Sequence, residues 1–566
     1  MLVPCALAAV CPAYVLLTNH LVPFANDFHC DPWHYFGMFF LADQPHLLND
    51  TSRMLSRVPE FMLGALITKL STSIIADYLN FLLLYAGCIL ALFFAAFRLF
   101  GGAPALLATL FFAFNPIVVG NFAVTYTAPS LFYNLLALLL AVEAREGSGA
   151  RRTLALVLSG VVLGTSVHGH LYAAGCAFAI PLYAIEVGAG GARRLLAQGF
   201  EVASKMILGI VLATIAIGTI NKVFLGGEFL FFMQQLGVLA KVDTADYDIA
   251  GWFMKACRGA IFVLAAALPT LQLAALILRG APDALRPRLW VVNLALAAIA
   301  ALLLLDSWLG GFFLQYDYYY VLLLPHIALS LAALLAQIPP PRKALAVTLA
   351  VTGLILALAL LPDIEIIAAA FASPDNAYFS LGIVLLLVIA AAVALFARNR
   401  RGQAASLATT LVLVGCLGFA VRPQRMGRLV WEHATRMAPH YGADNYTRIR
   451  QGVAYLAAHH FASRPAFWVS VDNVLWETIA LARSFDYCIV EMKMPQMDAT
   501  SEAYRRDFLP GREIVLVRGD PRLLEQANAT LKPLGLTVRE QERKLVSYEG
   551  VSYYVVIGRL ESLPAG

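Results

Sequence analysis

Two carboxylates and two arginines stand close to the amino terminus, directly after the first apolar run. Asp27 and Asp31 are four residues apart, so a helix would present both carboxylates on one face. One carboxylate can then act as a general base while the other orients it or raises its pKa. Arg57 follows Arg53 by one helical turn, and guanidinium groups bind phosphate through paired hydrogen bonds. Arginines at a membrane surface suit a lipid-linked phosphate or diphosphate.

Each of these residues also has a structural interpretation. Asp31 precedes Pro32, and aspartate before proline is a common helix N-cap. Capping and catalysis do not exclude each other. Arg53 and Arg57 can instead extend to lipid head groups, a role that the sequence favours equally.

Two histidines form a second candidate group, in the run Thr-Ser-Val-His-Gly-His. His168 and His170 are separated by one residue, which is a poor metal signature, and no cysteine nearby completes a ligand set. We therefore expect no metal site. Hydrogen bonding to a substrate or phosphate and a purely structural role both stay open for this pair.

Three further residues lie in segments that we predict to face outward. Tyr126 follows the third predicted span and can line a sugar pocket, although a plain turn explains it as well. Tyr318 enters the tenth span, where a tyrosine can stack on a sugar or belong to an interfacial aromatic belt. Lys241, a candidate phosphate partner, lies in 226–255, which has the length and composition of a loop that closes over a site.

The composition predicts how these residues are positioned. The chain has 566 residues, of which 60% are hydrophobic and 14% charged, and its mean hydropathy is +0.73. A soluble core cannot bury so much apolar surface, so we predict a mostly α polytopic membrane protein with about 13 transmembrane helices. The eight cysteines include no CxxC pair, which argues against a metal framework, and no feature indicates nucleic acid. The predicted spans lie near 2–22, 76–97, 103–121, 128–143, 153–167, 168–187, 206–224, 259–278, 289–306, 319–337, 344–361, 379–397 and 405–421.

The placement of basic residues predicts the orientation. Every second loop is basic, whereas the alternate loops 307–318 and 362–378 carry acidic residues and neither lysine nor arginine. Basic loops face the cytoplasm, so the first long loop, 23–75, and the region after Val421 face outward. We expect a bacterial inner-membrane protein with a periplasmic C-terminal domain. The basic loops contain Arg145, Arg151, Arg152, Arg193, Arg194, Lys205, Arg279, Arg286, Arg288, Arg342, Lys343, Arg398, Arg400 and Arg401.

Two regions outside the spans carry their own structure. In the first outer loop, Asp31–Leu41 and Pro59–Leu70 have helical periodicity and predict helices lying in the membrane interface. Residues 422–566 alternate β-rich runs with helical stretches, which predicts a small soluble α/β domain after a transmembrane domain of residues 1–421. The β-rich runs are Phe467–Val471, Tyr487–Glu491, Glu513–Arg518 and Val551–Ile557, and the helical stretches are Val474–Arg483 and Pro521–Leu534. This domain lacks a GxGxxG, P-loop or nucleophile-elbow motif, so we interpret it as a lid or docking module.

The motifs of the first outer loop resemble those of the GT-C superfamily of membrane glycosyltransferases, especially protein O-mannosyltransferases and bacterial aminoarabinose transferases. Family members have Asp-Glu-x-x-Tyr followed by (Lys/Arg)-x-Pro. This chain keeps Asp31 and Tyr35 at the same spacing, and Arg57-Val58-Pro59 matches the second motif. The family's glutamate is Pro32 here, which makes Asp27 a candidate for the second carboxylate.

The resemblance covers nearly the whole chain. Phe114-Asn115-Pro116 and the tyrosine-rich entry to Leu322–Pro325 look like the family's third and tenth spans. The resemblance implies that Asp31 is the catalytic base and Arg57 a phosphate contact. It implies an inverting transfer of a sugar from a polyprenyl-phosphate donor to a glycan, lipid or protein acceptor at the outer face, beside membrane lipids. No cofactor is obligatory, and a divalent cation stays open.

Two other classes of protein compete with this hypothesis. A transporter or flippase for lipids or saccharides would more often show internal repeats, broken helices at the membrane midplane and charges within the spans. Here ionisable residues collect in outer loops while the spans are nearly free of charge, which favours surface chemistry. A non-catalytic assembly protein with the same fold is the third class.

Overall fold

The structure of the chain is a computed structural model. It describes residues 2–18, 35–39, 57–71, 73–115, 117–119, 122, 127–186, 191–225, 229–230, 233, 256–279, 282–308, 317–337, 443–469, 489–491, 508–548 and 551–564. The chain forms two compact units, each made of separate segments. The first comprises Met1–Leu21, Phe81–Ile217 and Leu236–Leu429, and the second comprises Val22–Asn80, Gly218–Gln235 and Val430–Gly566.

Helices dominate the described residues before the C-terminal region. They are Leu2–Thr18, Val58–Thr68, Ser73–Phe100, Gly102–Ala113, Ala128–Glu146, Gly149–Gly169, Gly191–Phe224, Ala256–Arg279, Arg286–Trp308 and Leu324–Gln337. Six stretches of the described chain are long and apolar enough to cross a membrane: Ile75–Phe100, Ala128–Glu146, Gly149–Gly169, Gly191–Phe224, Arg286–Asp306 and Tyr319–Gln337. The protein is therefore a multi-pass membrane protein, mostly helical as predicted.

The predicted number of spans is confirmed only in part. Each of the six stretches contains one predicted span in full. Shorter apolar helices occupy three other predicted positions, at Leu2–Leu16, Gly102–Ala113 and Leu264–Ile277. The predicted spans 344–361, 379–397 and 405–421 lie outside the described residues, so a total of about thirteen stays a prediction.

One predicted span has a different structure. Instead of a continuous helix over 168–187, the chain turns at His170 and forms short 3-10 and α segments from Leu171 to Ala184. His170 has an extended backbone, with φ of −142° and ψ of 115°. Gly169 and Gly175 weaken helical continuity, and Pro181 lacks the N–H that a continuing helix needs.

Small residues let two membrane helices of the first unit approach closely. A Cβ at Gly160 would collide with the backbone of Met206, and one at Gly209 would collide with the backbone of Val157 and Gly160. The helices Gly149–Gly169 and Gly191–Phe224 therefore touch through their backbones. Such contacts are a main source of helix association in lipid, where burial of apolar side chains provides little driving force.

Polar side chains join further helices of this unit. Gln272 donates through Nε2 to the carbonyl of Ser330 at 2.7 Å, and Asn293 donates through Nδ2 to Gln272 Oε1 at 2.9 Å. The Ser330 hydroxyl lies 3.1 Å from Asn293 Oδ1. Each of these three residues comes from a different helix, so the network fixes their relative positions within apolar surroundings.

Helical structure also occurs in the long loop 23–75, as predicted. The helix predicted over Pro59–Leu70 is present as Val58–Thr68, with Pro59 in its first turn, where the missing N–H costs nothing. Of the helix predicted over Asp31–Leu41, the structure describes residues 35–39, which are helical. A location of either segment in the lipid interface stays a prediction.

The C-terminal region contains a small α/β fold. Its helices are Ala443–Ala458 and Leu523–Leu531, and its strands are β1 (Ala466–Val469), β2 (Ile489–Glu491), β3 (Glu513–Arg518), β4 (Leu536–Tyr548) and β5 (Val551–Ser562). The strand order is β2-β1-β3-β5-β4, with β1 parallel to β2 and β3, and β5 antiparallel to β3 and β4. Trp468 and Leu516 are fully buried in the core between sheet and helix.

The sequence predicted most of these elements but not β4. The β-rich runs match β1, β2, β3 and β5, and the helical run Pro521–Leu534 contains the observed Leu523–Leu531 helix. Strand β4 begins with Leu-Thr-Val, but its middle, Arg-Glu-Gln-Glu-Arg-Lys, lacks an apolar alternation, and its register shifts between Glu540 and Glu542. The predicted helical stretch Val474–Arg483 lies outside the described residues.

Candidate functional site

Two residues from different motifs of the loop 23–75, which we predict to face outward, meet in the second unit. The Arg57 guanidinium donates a hydrogen bond through Nη1 to the Tyr35 hydroxyl at 2.9 Å, across 22 positions of sequence. Tyr35 is 3% exposed, so the bond forms in a largely dry environment. The hydroxyl thereby orients the plane of the guanidinium, whose N–H groups determine the direction from which an anion can bind.

The sequence explains why these two residues meet. Arg57 stands directly before the Val58–Thr68 helix, and its carbonyl accepts a hydrogen bond from the backbone N–H of Glu60 at 2.9 Å. The Phe39 ring packs directly against Gly64, where a Cβ would collide with the ring. The Thr68 hydroxyl also bonds the Phe39 carbonyl at 3.0 Å. Residues 35–39 are thus packed along the helix that Arg57 precedes.

Four buried polar residues of the second unit were not anticipated from the sequence. Glu60, Asp77, Asn80 and Arg450 are 2%, 4%, 6% and 8% exposed. Arg450, from the C-terminal region, lies within electrostatic range of Asp77. The signal that could have identified Glu60 is a carboxylate in the first turn of an otherwise apolar helix, where the helix dipole favours a negative charge.

The two histidines lie in the first unit and have different partners. His168 Nε2 is 2.7 Å from the Thr214 hydroxyl, which itself donates to the carbonyl of Ile210 at 2.9 Å. A hydroxyl has one proton, so the histidine ring must be the donor in the first contact. His168 therefore carries its proton on Nε2 when neutral, and it links two membrane helices.

His170 belongs to an aromatic cluster at the turn that interrupts the predicted sixth span. Its ring lies 4.2 Å from that of Tyr172 and 5.7 Å from that of Tyr319, between centroids, and the two tyrosine rings are 4.8 Å apart. All three side chains are at most 6% exposed. The structure thus brings His170 to the tyrosine-rich entry of the tenth predicted span, but His168 is directed to Thr214 instead.

The other predicted site residues fall partly outside the described chain. Asp27, Asp31, Arg53, Tyr126 and Lys241 are in segments that the structure does not describe. Tyr318 lies in the 3-10 helix Asp317–Leu322, directly before Tyr319. Within the described ranges, no group of three or more histidine, cysteine, aspartate or glutamate side chains could hold a metal ion.

Comparisons with known proteins give similarities to solved structures alone. A scan against models of protein families finds no match, and neither does a search of curated proteins. The chain is similar to ArnT from Cupriavidus metallidurans in the apo state, with 14% identity and a TM-score of 0.49, over 97% of this chain and 96% of that one. It is also similar to the apo oligosaccharyltransferase of Archaeoglobus fulgidus, with 12% identity and a TM-score of 0.42, over 93% and 71%.

A second structure of the archaeal enzyme matches as well. In that structure the oligosaccharyltransferase is tethered through a disulfide to an acceptor peptide with the sequon NVT, and it matches at 12% identity and a TM-score of 0.38, over 95% and 69%. ArnT is an aminoarabinose transferase, and it and the oligosaccharyltransferase are both GT-C glycosyltransferases.

Proposed function

We propose that this protein is a membrane glycosyltransferase that moves a sugar from a polyprenyl-phosphate donor to a glycan, lipid or protein acceptor. The observation that carries the proposal is the hydrogen bond between Arg57 and Tyr35. One residue comes from each of the two motifs on which the resemblance rests. Their contact supports the proposal that the two motifs contribute to a single site.

The residue types suit a direct displacement at the sugar. Asp31 takes the proton from the acceptor hydroxyl or amine as that group attacks the anomeric carbon, and the bond from this carbon to the phosphate oxygen breaks. The electron pair leaves with the lipid phosphate, whose charge Arg57 stabilises. One displacement inverts the anomeric configuration. Asp27 is the second carboxylate, which orients Asp31 or raises its pKa.

The contact with Tyr35 matters to this mechanism because it holds the cation in place. An arginine side chain loses considerable rotamer freedom when it binds an anion. A guanidinium that is already oriented has lost part of that freedom before the donor arrives, so more of the interaction appears as stabilisation of the departing phosphate. Arg53, Lys241, His168 and His170 are further candidates for phosphate contacts, and Tyr126 and Tyr318 for sugar contacts.

We also propose the cellular arrangement that such a donor requires. The polyprenyl tail stays in the bilayer, so the reactive phosphate is presented at the membrane surface. The first outer loop and the C-terminal region would face the periplasm of a bacterium, across its inner membrane. Membrane lipids surround the transmembrane part, and no nucleic acid takes part.

Replacement of the proposed base tests the function most directly. Asp31→Asn removes the proton acceptor with little change of volume, so transfer from a radiolabelled polyprenyl-phosphate sugar should fall by at least about a hundredfold in membranes that contain the protein. Asp43→Asn is the matched control, since it neutralises another carboxylate of the same loop, and it should keep wild-type transfer. Both variants should be present in membranes at the wild-type level.

Two outcomes would contradict the proposal at different levels. Undiminished transfer by Asp31→Asn would exclude Asp31 as the base. The wild-type protein could instead transfer no sugar from any polyprenyl-phosphate donor tested and move the labelled lipid across the membrane of reconstituted vesicles. These two results together would show that the protein is a flippase and not a glycosyltransferase.

A further inference from the structure

A cluster of charged residues lies at one end of the helices of the first unit. The last turn of the Ala128–Glu146 helix and the first turn of the Gly149–Gly169 helix are joined by only two residues, Gly147 and Ser148, so they share this end. Arg98, in the last turn of Ser73–Phe100, reaches the same place and pairs with Glu143 at 2.8 Å. The basic loops predict that this end faces the cytoplasm.

Most cations of the cluster have acidic partners. Besides Arg98, Arg151 lies 3.3 Å from Glu143, and Lys205 lies 2.6 Å from Glu201. Arg152 approaches Glu201 at 3.6 Å and also donates to the carbonyl of Ala144 at 3.0 Å. Each of these four cations therefore has a carboxylate within ion-pair distance, although Arg98 and Arg151 share Glu143 while Arg152 and Lys205 share Glu201.

Arg145 and Arg288 are different. Arg288 donates through Nη1 to the carbonyl of Leu99 at 2.6 Å, which fixes its guanidinium, but it makes no ion pair with any residue that the structure describes. Arg145 lies within electrostatic range of Arg288, and the two repel each other. Its Nη1 is buried, and no described residue accepts a hydrogen bond from it. The exposed Glu186 and Glu146, which pairs with Arg98, offset part of this repulsion, but among the described residues neither forms an ion pair with Arg145.

This arrangement is unfavourable without an additional negative charge. A guanidinium N–H group that has lost water and gained no hydrogen bond is destabilising, and a second cation beside it adds to the cost. An anion between the two arginines removes both penalties at once. Arginine forks match the tetrahedral oxygens of phosphate, and pairs of arginines are a common means of binding it.

We propose that Arg145 and Arg288 form a binding site for a phosphate group, on the side of the membrane that the basic loops predict to be cytoplasmic. Both residues lie at the ends of apolar helices, which is the depth of lipid head groups. The phosphodiester of an anionic phospholipid and a soluble phosphate have the same chemistry at this position. The site does not rest on the proposed sugar transfer.

Lipid binding to the full-length protein tests the proposal. The purified protein is titrated with phosphatidylglycerol or phosphatidylcholine and the bound lipids are counted by native mass spectrometry. Arg145→Gln and Arg288→Gln should each weaken phosphatidylglycerol binding by roughly tenfold, since each removes charge-assisted hydrogen bonds. Arg151→Gln, a control on the same end of the helices whose side chain is 75% exposed, should change it less than about twofold.

The remaining measurements distinguish a lipid phosphate from a soluble phosphate, and they show whether the variants are folded. Arg145→Gln removes a desolvated charge, so its thermal midpoint in phosphatidylcholine should not fall below that of the wild type. A midpoint raised by inorganic phosphate in phosphatidylcholine, and not raised in Arg145→Gln, would assign the site to soluble phosphate. The proposal is wrong if neither probe discriminates Arg145→Gln and Arg288→Gln from Arg151→Gln. Arg288→Lys, which keeps the charge and loses the fork, should bind with intermediate affinity.

Discussion

At the scale of single residues, the contact between Arg57 and Tyr35 is the best-supported part of the candidate site. The sequence supplied each residue separately, as members of two short motifs. The hydrogen bond from the guanidinium to the tyrosine hydroxyl is visible only in the three-dimensional structure. The two residues are 22 positions apart, and the bond depends on how residues 35–39 pack on the helix that follows Arg57.

Tyr35→Phe tests whether this bond orients the arginine. The variant keeps the ring and removes only the acceptor oxygen, so we expect transfer to fall roughly tenfold in kcat/KM, mainly through a higher KM for the donor. Steady-state kinetics with a polyprenyl-phosphate sugar measure both constants. Arg57→Lys should cost at least as much, since lysine keeps the charge but cannot replace the planar fork.

A second buried tyrosine provides the control for this experiment. Tyr183 bonds Nδ1 of His326 at 2.7 Å in the first unit, so Tyr183→Phe removes a comparable buried contact away from Arg57. It should lower thermal stability and leave the KM for the donor unchanged. Equal effects of both tyrosine variants on KM would show that Tyr35 has only a structural role.

At the scale of elements, close backbone packing fixes the positions of two membrane helices. Gly209→Ala should destabilise the protein by roughly 1–3 kcal/mol, because the new methyl group has no room against Val157 and Gly160. Gly199 is the matched control in the same helix, where a Cβ would meet nothing within 4 Å. Gly199→Ala should stabilise the helix by about 0.5–1 kcal/mol. Thermal unfolding of the purified protein measures both changes.

The start of the Leu523–Leu531 helix should respond to acid. The backbone N–H of Arg522, together with its side chain, lowers the pKa of Asp520 from 3.8 to about 2. A lowered pKa means that the ionised carboxylate stabilises the fold above the unfolded value, and that this contribution is lost as the pH falls from about 4 towards 2. Hydrogen exchange of residues 513–548 should therefore accelerate over this range, relative to the intrinsic rates.

Two variants assign this acid response to Asp520. Asp520→Asn should exchange faster than wild type already at neutral pH, and the difference between the two proteins should vanish at the acid end. Glu525→Gln, in the following helix, should keep the wild-type profile. A profile of Asp520→Asn that is parallel to wild type at every pH would assign the response to another group.

Elements also show where sequence patterns fail. Strands β1, β3 and β5 have apolar runs that are typical of buried strands, and they were predicted. Strand β4 was missed because residues 541–545 are exposed on both faces of the strand, so polar and charged side chains stand at successive positions and no period of two appears. For the segment after His170 the error was the opposite, because a continuous helix was predicted where the chain forms short helical segments. An apolar run alone does not reveal where a helix breaks.

At the scale of the whole molecule, the proposed topology has a simple consequence. If the region after Val421 is periplasmic, alkaline phosphatase fused after Gly566 should be active and a cytoplasmic fluorescent protein at the same position should not fluoresce. A fusion within the basic loop near Arg286 should show the reverse. Fluorescence of the C-terminal fusion would overturn the predicted orientation and would move the proposed donor site to the cytoplasmic face.

The sequence by itself determined that this is a helical membrane protein with a small α/β region near its C-terminal end, because hydropathy and short-range periodicity act along the chain. It also supplied the residue types of the candidate site. The tertiary structure decided which of them meet: Arg57 with Tyr35, His170 with Tyr319, and His168 with Thr214 instead. Among the described residues it also revealed the buried Glu60, the buried Nη1 of Arg145 that has no acceptor, and the Arg288 guanidinium, which bonds a carbonyl and no carboxylate. Such contacts depend on burial and on distances between remote segments, which no local pattern encodes.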